Sequence, residues 1–131
     1  SRESGLLGLS GLSSDMRELE ASGSPQAALA VDYFVEHIQR ELAGMAAALQ
    51  GIDTLVFTGG IGENAVALRA RVVRGAAWMG LGLDEEANLG GGDVISSAGS
   101  AVTVRVMRTN EEAVIAGHTA RCAWDERGAA G

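Results

Sequence analysis

The sequence predicts a single α/β domain built around a parallel sheet, and three features carry that expectation. Val31, Phe34, Val35, Ile38, Leu42, Met45 and Leu49 recur at spacings of three and four, the period of a helix with one apolar face. Thr54-Leu55-Val56-Phe57-Thr58 is a short run of apolar and β-branched residues, the pattern of a strand buried on both faces. Gly59-Gly60-Ile61-Gly62 then gives a tight turn nearly free of Cβ atoms, so that strand passes directly into helix, as in a βα unit. With 131 residues, 47% hydrophobic and 21% charged, the composition is that of a globular chain with one core and not of a disordered one.

Taken in order, Gly5-Leu6-Leu7-Gly8-Leu9-Ser10-Gly11-Leu12 has no clean period and reads as a loop or short helix packed beneath a neighbour. Ser13, Ser14 and Asp15 are helix-start residues, and one or two helical turns follow before Gly23-Ser24-Pro25 interrupts them. Pro25 is tolerated at a first helical position, and the long helix beyond it pairs Glu36 with Arg40 four residues later on its wet face, ending at Gly51. After the 54–58 strand and its turn, Glu63 and Asn64 open a second helix with Val66, Leu68, Val72 and Val73 on its apolar side. Asp84-Glu85-Glu86 and Gly90-Gly91-Gly92 read as loop, and Val94-Ile95 as a short strand. Ala101-Val102-Thr103-Val104-Arg105-Val106-Met107 alternates as a strand does. Thr109 and Glu112 have capping-box spacing ahead of a last helix that would include His118. Residues 1–24 and 122–131 are expected to be partly disordered, the tail after Trp124 having little to bury.

Seventeen acidic residues against ten basic ones give a net charge of −7, which opposes general attraction to nucleic acid or to an anionic membrane. Every basic residue is an arginine, so the chain contains neither a lysine for a Schiff base nor one for a phosphate loop. A lone cysteine, Cys122, cannot close an internal disulfide, and no charged start with apolar core and cleavage site opens the chain, so a reducing, cytoplasmic setting is expected; no apolar run is long enough to span a bilayer, so a soluble protein is expected.

The stretch richest in chemistry is Thr58-Gly59-Gly60-Ile61-Gly62-Glu63-Asn64. A glycine turn between a strand end and a helix start exposes backbone N–H groups to an anion and can cradle phosphate, although spacing alone does not separate that role from a simple turn. Gly60, Gly62 and Ala65 also match a dinucleotide fingerprint, with Asp84, Glu85 and Glu86 near the distance of a ribose-binding acid. Against this rival, Glu63 puts a negative side chain in the turn and Leu81-Gly82-Leu83 makes a poor second strand. Asp15, Met16 and Arg17 could stack on and pair with a planar base, or could be a charged helix start. Glu111 and Glu112 suit a helix N-terminus. His37 and His118 have no partners at ligand spacing, Trp78 and Trp124 are expected to pack, and Cys122 has no readable activator.

Together, Ser4-Gly5-Leu6-Leu7-Gly8-Leu9-Ser10 with Ser14-Asp15-Met16-Arg17, then Leu55-Val56-Phe57-Thr58-Gly59-Gly60-Ile61-Gly62-Glu63-Asn64, then Thr109-Asn110-Glu111-Glu112, closely resemble the acetate kinase family in order and interval. The resemblance spans nearly the whole chain, and its central string is shared with propionate and butyrate kinases. It implies a ribonuclease-H-like (actin-like ATPase) domain, residues 1–131 being the C-terminal nucleotide-binding part of a longer two-domain kinase. It implies that Asp15, Met16 and Arg17 touch the adenosine, that Gly60, Ile61, Gly62, Glu63 and Asn64 form a second nucleotide-binding turn, and that Glu111 binds Mg2+. ATP or ADP and Mg2+ would be the cofactors, acetate the acceptor, and a homodimer joined through this domain the assembly. The family's catalytic groups match no position in this sequence, so the chain alone is expected to be inactive. A dinucleotide-binding half-domain and a non-catalytic interaction module are the alternatives from other classes.

Overall fold

The computed structural model describes residues 4–8, 21–58, 65–107 and 117–124. Four parallel strands, β1 (Ser4–Gly8), β2 (Thr54–Thr58), β3 (Thr103–Val106) and β4 (Thr119–Trp124), form one sheet in the order β1-β4-β2-β3. Helices α1 (Pro25–Leu49), α2 (Val66–Gly75) and the short α3 (Glu85–Leu89) complete the described elements, with a 3-10 turn at Ala77–Met79.

The long helix begins where its sequence says it should. Ser24 is its N-cap, the hydroxyl accepting from the Ala27 N–H at 3.1 Å, and Pro25 occupies the first turn, where a missing N–H costs nothing. Val31, Phe34, Val35, Ile38 and Leu42 form its buried stripe. It ends in a left-handed residue, but that residue is Gln50 (φ 59°), followed by Gly51 (φ 118°), whose N–H closes on the Ala46 carbonyl at 2.8 Å. Glu36 and Arg40 pair as expected at 2.7 Å, well exposed, and so contribute little to stability.

Strand β2 is central, with β4 on one side and β3 on the other, which is why its residues read as continuously apolar. Leu55 and Phe57 point into the core made with α1 and with Leu68 and Val72 of α2, together with Val104, Ala120 and Cys122 from the flanking strands. Val56 faces the other way, in register with Arg105 and Arg121, and the Nε of Arg105 is buried there without a hydrogen-bond partner.

Several sequence expectations are corrected. The apolar glycine stretch near the start contains a strand, β1, because β4 supplies its hydrogen-bonding partner from the far end of the chain. The segment expected to end in a helix carrying His118 instead enters β4, with His118 half-buried just before it and its N–H donating to Asp53 at 2.9 Å. Asp84-Glu85-Glu86 is not loop: Asp84 caps α3 by accepting from the Ala87 N–H at 3.1 Å. Val94 contributes only an isolated antiparallel bridge to Arg105 rather than a strand. The helix starts expected at Ser13, Ser14 and Asp15 and at Glu63 and Asn64, and the capping box of Thr109 and Glu112, lie outside the described residues.

Candidate nucleotide site

A sheet whose hydrogen-bonded pairs are all parallel gathers the carboxyl ends of its strands along one edge, and open α/β sheets bind ligands outside that edge. Gly8, Ala123 and Thr58 stand in one row across β1, β4 and β2, and Val106 stands beside Phe57. Pairing continues one residue past β3, the Met107 N–H donating to the Phe57 carbonyl at 2.9 Å, so the chain leaves β3 still tied to the end of β2. From this edge start the three segments singled out in the sequence: 9–20 after β1, with Asp15, Met16 and Arg17; 59–64 after β2, with Gly60, Ile61, Gly62, Glu63 and Asn64; and 108–116 after β3, with Glu111. The structure brings together the strand ends from which they depart. The residues themselves lie outside the described ones.

On the far side of 59–64 the chain enters α2. Ala65 is its N-cap and gives no side-chain cap, and the first turn contains no acidic residue. The positive end of the helix is therefore not neutralised by its own first turn. Within that turn lies Arg69, only 2% exposed, beside Asn88 of α3, 1% exposed. The Arg69 Nε donates to the Asn88 side-chain oxygen at 2.9 Å and its Nη2 to the Asn88 carbonyl at 3.3 Å, while the Asn88 amide donates to the Val66 carbonyl at 3.0 Å. Burial holds the guanidinium below its ordinary value. Neither residue is singled out by the motifs. One signal was readable: Arg69 stands three and four residues before Val72 and Val73, on the apolar side of its helix.

Comparison with known proteins shows the family. The sequence profile of the acetokinase family matches residues 1–117. The chain belongs to the acetokinase family. It is 56% identical over 118 residues to an acetate kinase of Methylocella silvestris, an alignment covering 90% of this chain and 29% of that protein. In fold it resembles the crystal structure of Porphyromonas gingivalis acetate kinase (TM-score 0.68, 39% identity, 74% of this chain and 26% of that one). It also resembles a propionate kinase from Francisella tularensis (TM-score 0.65, 33% identity, 76% of this chain and 26% of that one). The chain thus spans less than a third of the length of the relatives it matches, and its fold class is the actin-like ATPase type expected from the sequence.

Membership of the acetokinase family agrees with the fate of the other candidates. Two of the three acids of the dinucleotide rival are engaged elsewhere: Asp84 caps α3, and Glu85 forks onto the Arg74 guanidinium at 2.6 to 3.0 Å on the surface. Leu83 joins only an isolated antiparallel bridge to Ser96, so no second strand presents these acids at its carboxyl end. His118 sits near the opposite edge, its Nδ1 3.2 Å from the Gly51 carbonyl, and His37 is exposed on α1. Trp78 does not pack as expected but is 72% exposed, because it falls on the 3-10 turn outside the core. Cys122 is fully buried, and burial pushes its thiol up to about 12, which removes it as a nucleophile. Among the described residues no three His, Cys, Asp or Glu side chains converge as a metal site, and no helix is long and apolar enough to cross a membrane.

Proposed function

We propose that this chain forms the nucleotide-side wall of an acetate kinase, which transfers a phosphoryl group reversibly between ATP and acetate to give ADP and acetyl phosphate. The supporting observation is the common edge: the strands that precede all three motif segments have their carboxyl ends along one edge of the sheet, β1 across β4 from β2 and β3. In this reading Asp15, Met16 and Arg17 contact the adenosine, Gly60, Ile61, Gly62, Glu63 and Asn64 offer backbone to the phosphates, and Glu111 holds Mg2+. Phosphoryl transfer depends on positioning and charge neutralisation, and bound Mg2+ supplies positive charge to the phosphoryl oxygens. A chain of net charge −7 without lysine needs such a counter-charge to accept a polyphosphate.

The 131 residues, the family's C-terminal domain, bind nucleotide weakly and do not turn over, because the charge-neutralising catalytic groups match no position here. Parallel titrations with MgADP, MgATP and NAD, followed by an acyl phosphate assay, test the reading. Saturable millimolar binding of the adenine nucleotides over NAD, with no acyl phosphate formed, is expected. Preference for NAD, or no nucleotide binding at all, would overturn it. Propionate as the acceptor is a second reading, supported by the likeness to the Francisella tularensis propionate kinase. Homodimer formation through this domain is supported by Leu29 and Tyr33, 68% and 71% exposed one turn apart on α1; a monomeric mass by light scattering at high concentration would refute it.

A further inference from the structure

Leu55, Phe57, Val104, Ala120 and Cys122 pack with α1 and α2, so the alternate positions of β2, β3 and β4 lie on the opposite face of the sheet. Across the middle of that face Arg121, Val56 and Arg105 stand in register, and two residues earlier on the same strands stand Thr119, Thr54 and Thr103. The two arginines flank the fully buried Val56, their backbones about 10 Å apart across two strand spacings, and both are half-buried. Among the described residues neither guanidinium makes an ion pair or a hydrogen bond, and the Nε of Arg105 is shut off from solvent. Asp93 precedes Val94, which bridges to Arg105, yet forms no ion pair with it, and the Asp53 carboxylate accepts from the His118 N–H. Thr119 is 4% exposed, and its Oγ1 is also buried without a partner.

Folded proteins match nearly all buried polar atoms, and two like charges on one half-buried face repel each other. Water would answer the hydrogen bonds and leave the two charges unneutralised, whereas an anion answers both. A guanidinium presents its N–H groups as a fork suited to two oxygens of a carboxylate or phosphate. A hydroxyl beside two such forks asks for a further acceptor, which a tetrahedral oxyanion has and a carboxylate lacks. We propose that this face of the sheet binds an oxyanion of the phosphate class, with Arg105 and Arg121 donating from either side of Val56 and the Thr119 hydroxyl donating to a further oxygen. The site uses only residues inside β3 and β4, so it does not rest on the nucleotide reading.

The 131-residue protein is titrated by NMR with inorganic phosphate and, in parallel, with glycerol 3-phosphate, at ionic strength held constant with sodium chloride. The Nε–H signals of Arg105 and Arg121 and the Thr119 amide should shift saturably, and phosphate should raise the melting temperature. Tighter binding of the inorganic ion marks free phosphate as the ligand, and tighter binding of the ester marks a phosphorylated molecule. Arg105→Met and Arg121→Met should each weaken binding on the order of tenfold. Without phosphate both should melt no lower than the parent, since an apolar side chain replaces one of two unpaired charges. Folded variants that bind as tightly as the parent overturn the proposal, as does sodium chloride alone producing the same shifts. Saturating MgADP should leave the shifts in place; if it abolishes them, the phosphate occupies the nucleotide cleft and the proposal falls. A parent whose Arg105 and Arg121 signals stay still under phosphate overturns it too, and that result decides the matter even if the variants fail to fold.

Discussion

Chemical reactivity of Cys122 tests the least expected part of this fold, the insertion of the last strand between β1 and β2. Cys122 is fully buried in β4, in register with Leu7 on one side and Phe57 on the other. Burial moves its thiol from 9.0 to about 12, roughly a thousandfold in ionisation. At pH 8 an ordinary thiol of this kind is about one-tenth thiolate, whereas Cys122 is about one part in ten thousand thiolate, before any steric exclusion of the reagent. Labelling by an aromatic disulfide should therefore proceed only through opening of the sheet, and its rate should climb steeply with urea. A pH dependence of stability follows with a definite sign. The unfolded chain loses the thiol proton near pH 9 while the folded chain keeps it to about 12. The contribution is complete below pH 9 and is lost as pH rises toward 12, by about 1 kcal/mol per pH unit. Native labelling at pH 8 within about tenfold of the urea-unfolded rate would mean that β4 is not in the sheet.

Three further outcomes are expected. Leu42→Ala removes a fully buried side chain from the α1 stripe and should cost about 2–5 kcal/mol, read from the urea midpoint; a loss well under 1 kcal/mol would mean that α1 does not pack there. Ser24→Ala deletes the bond to the Ala27 N–H and should cost about 1 kcal/mol in thermal melts, with faster amide exchange confined to the first turn of α1. A double-mutant cycle on Arg74 and Glu85, 57% and 54% exposed, should give a coupling under about 1 kcal/mol despite the forked geometry, and a larger value would show that α3 depends on this pair.

How much of this was legible depends on how local the determinants are. The α1 helix could be read because its cap, its proline and its apolar stripe all lie within its own residues. The same holds for β2, whose position between two neighbours makes every residue apolar or β-branched. By contrast, β1 and β4 have little β-branched or aromatic character and are not legible as strands, because β1 pairs only with β4 from the far end of the chain and β4 with β1 and β2. The α3 helix was hidden by its acidic composition, which the Asp84 cap and the positive end of a short helix accommodate. Arg69 would be assigned to solvent on charge alone, whereas its guanidinium is buried against Asn88, which accepts its Nε–H at 2.9 Å.

The sequence by itself determined the α/β class, the core stripe of α1 and the central strand, since each follows from neighbouring residues and their period. Only the tertiary structure decided the strand order β1-β4-β2-β3, the alignment of three carboxyl ends at one edge and the buried Arg69–Asn88 hydrogen bond between α2 and α3. These rest on hydrogen bonds and burial between residues far apart in the chain, whose energies no local pattern encodes.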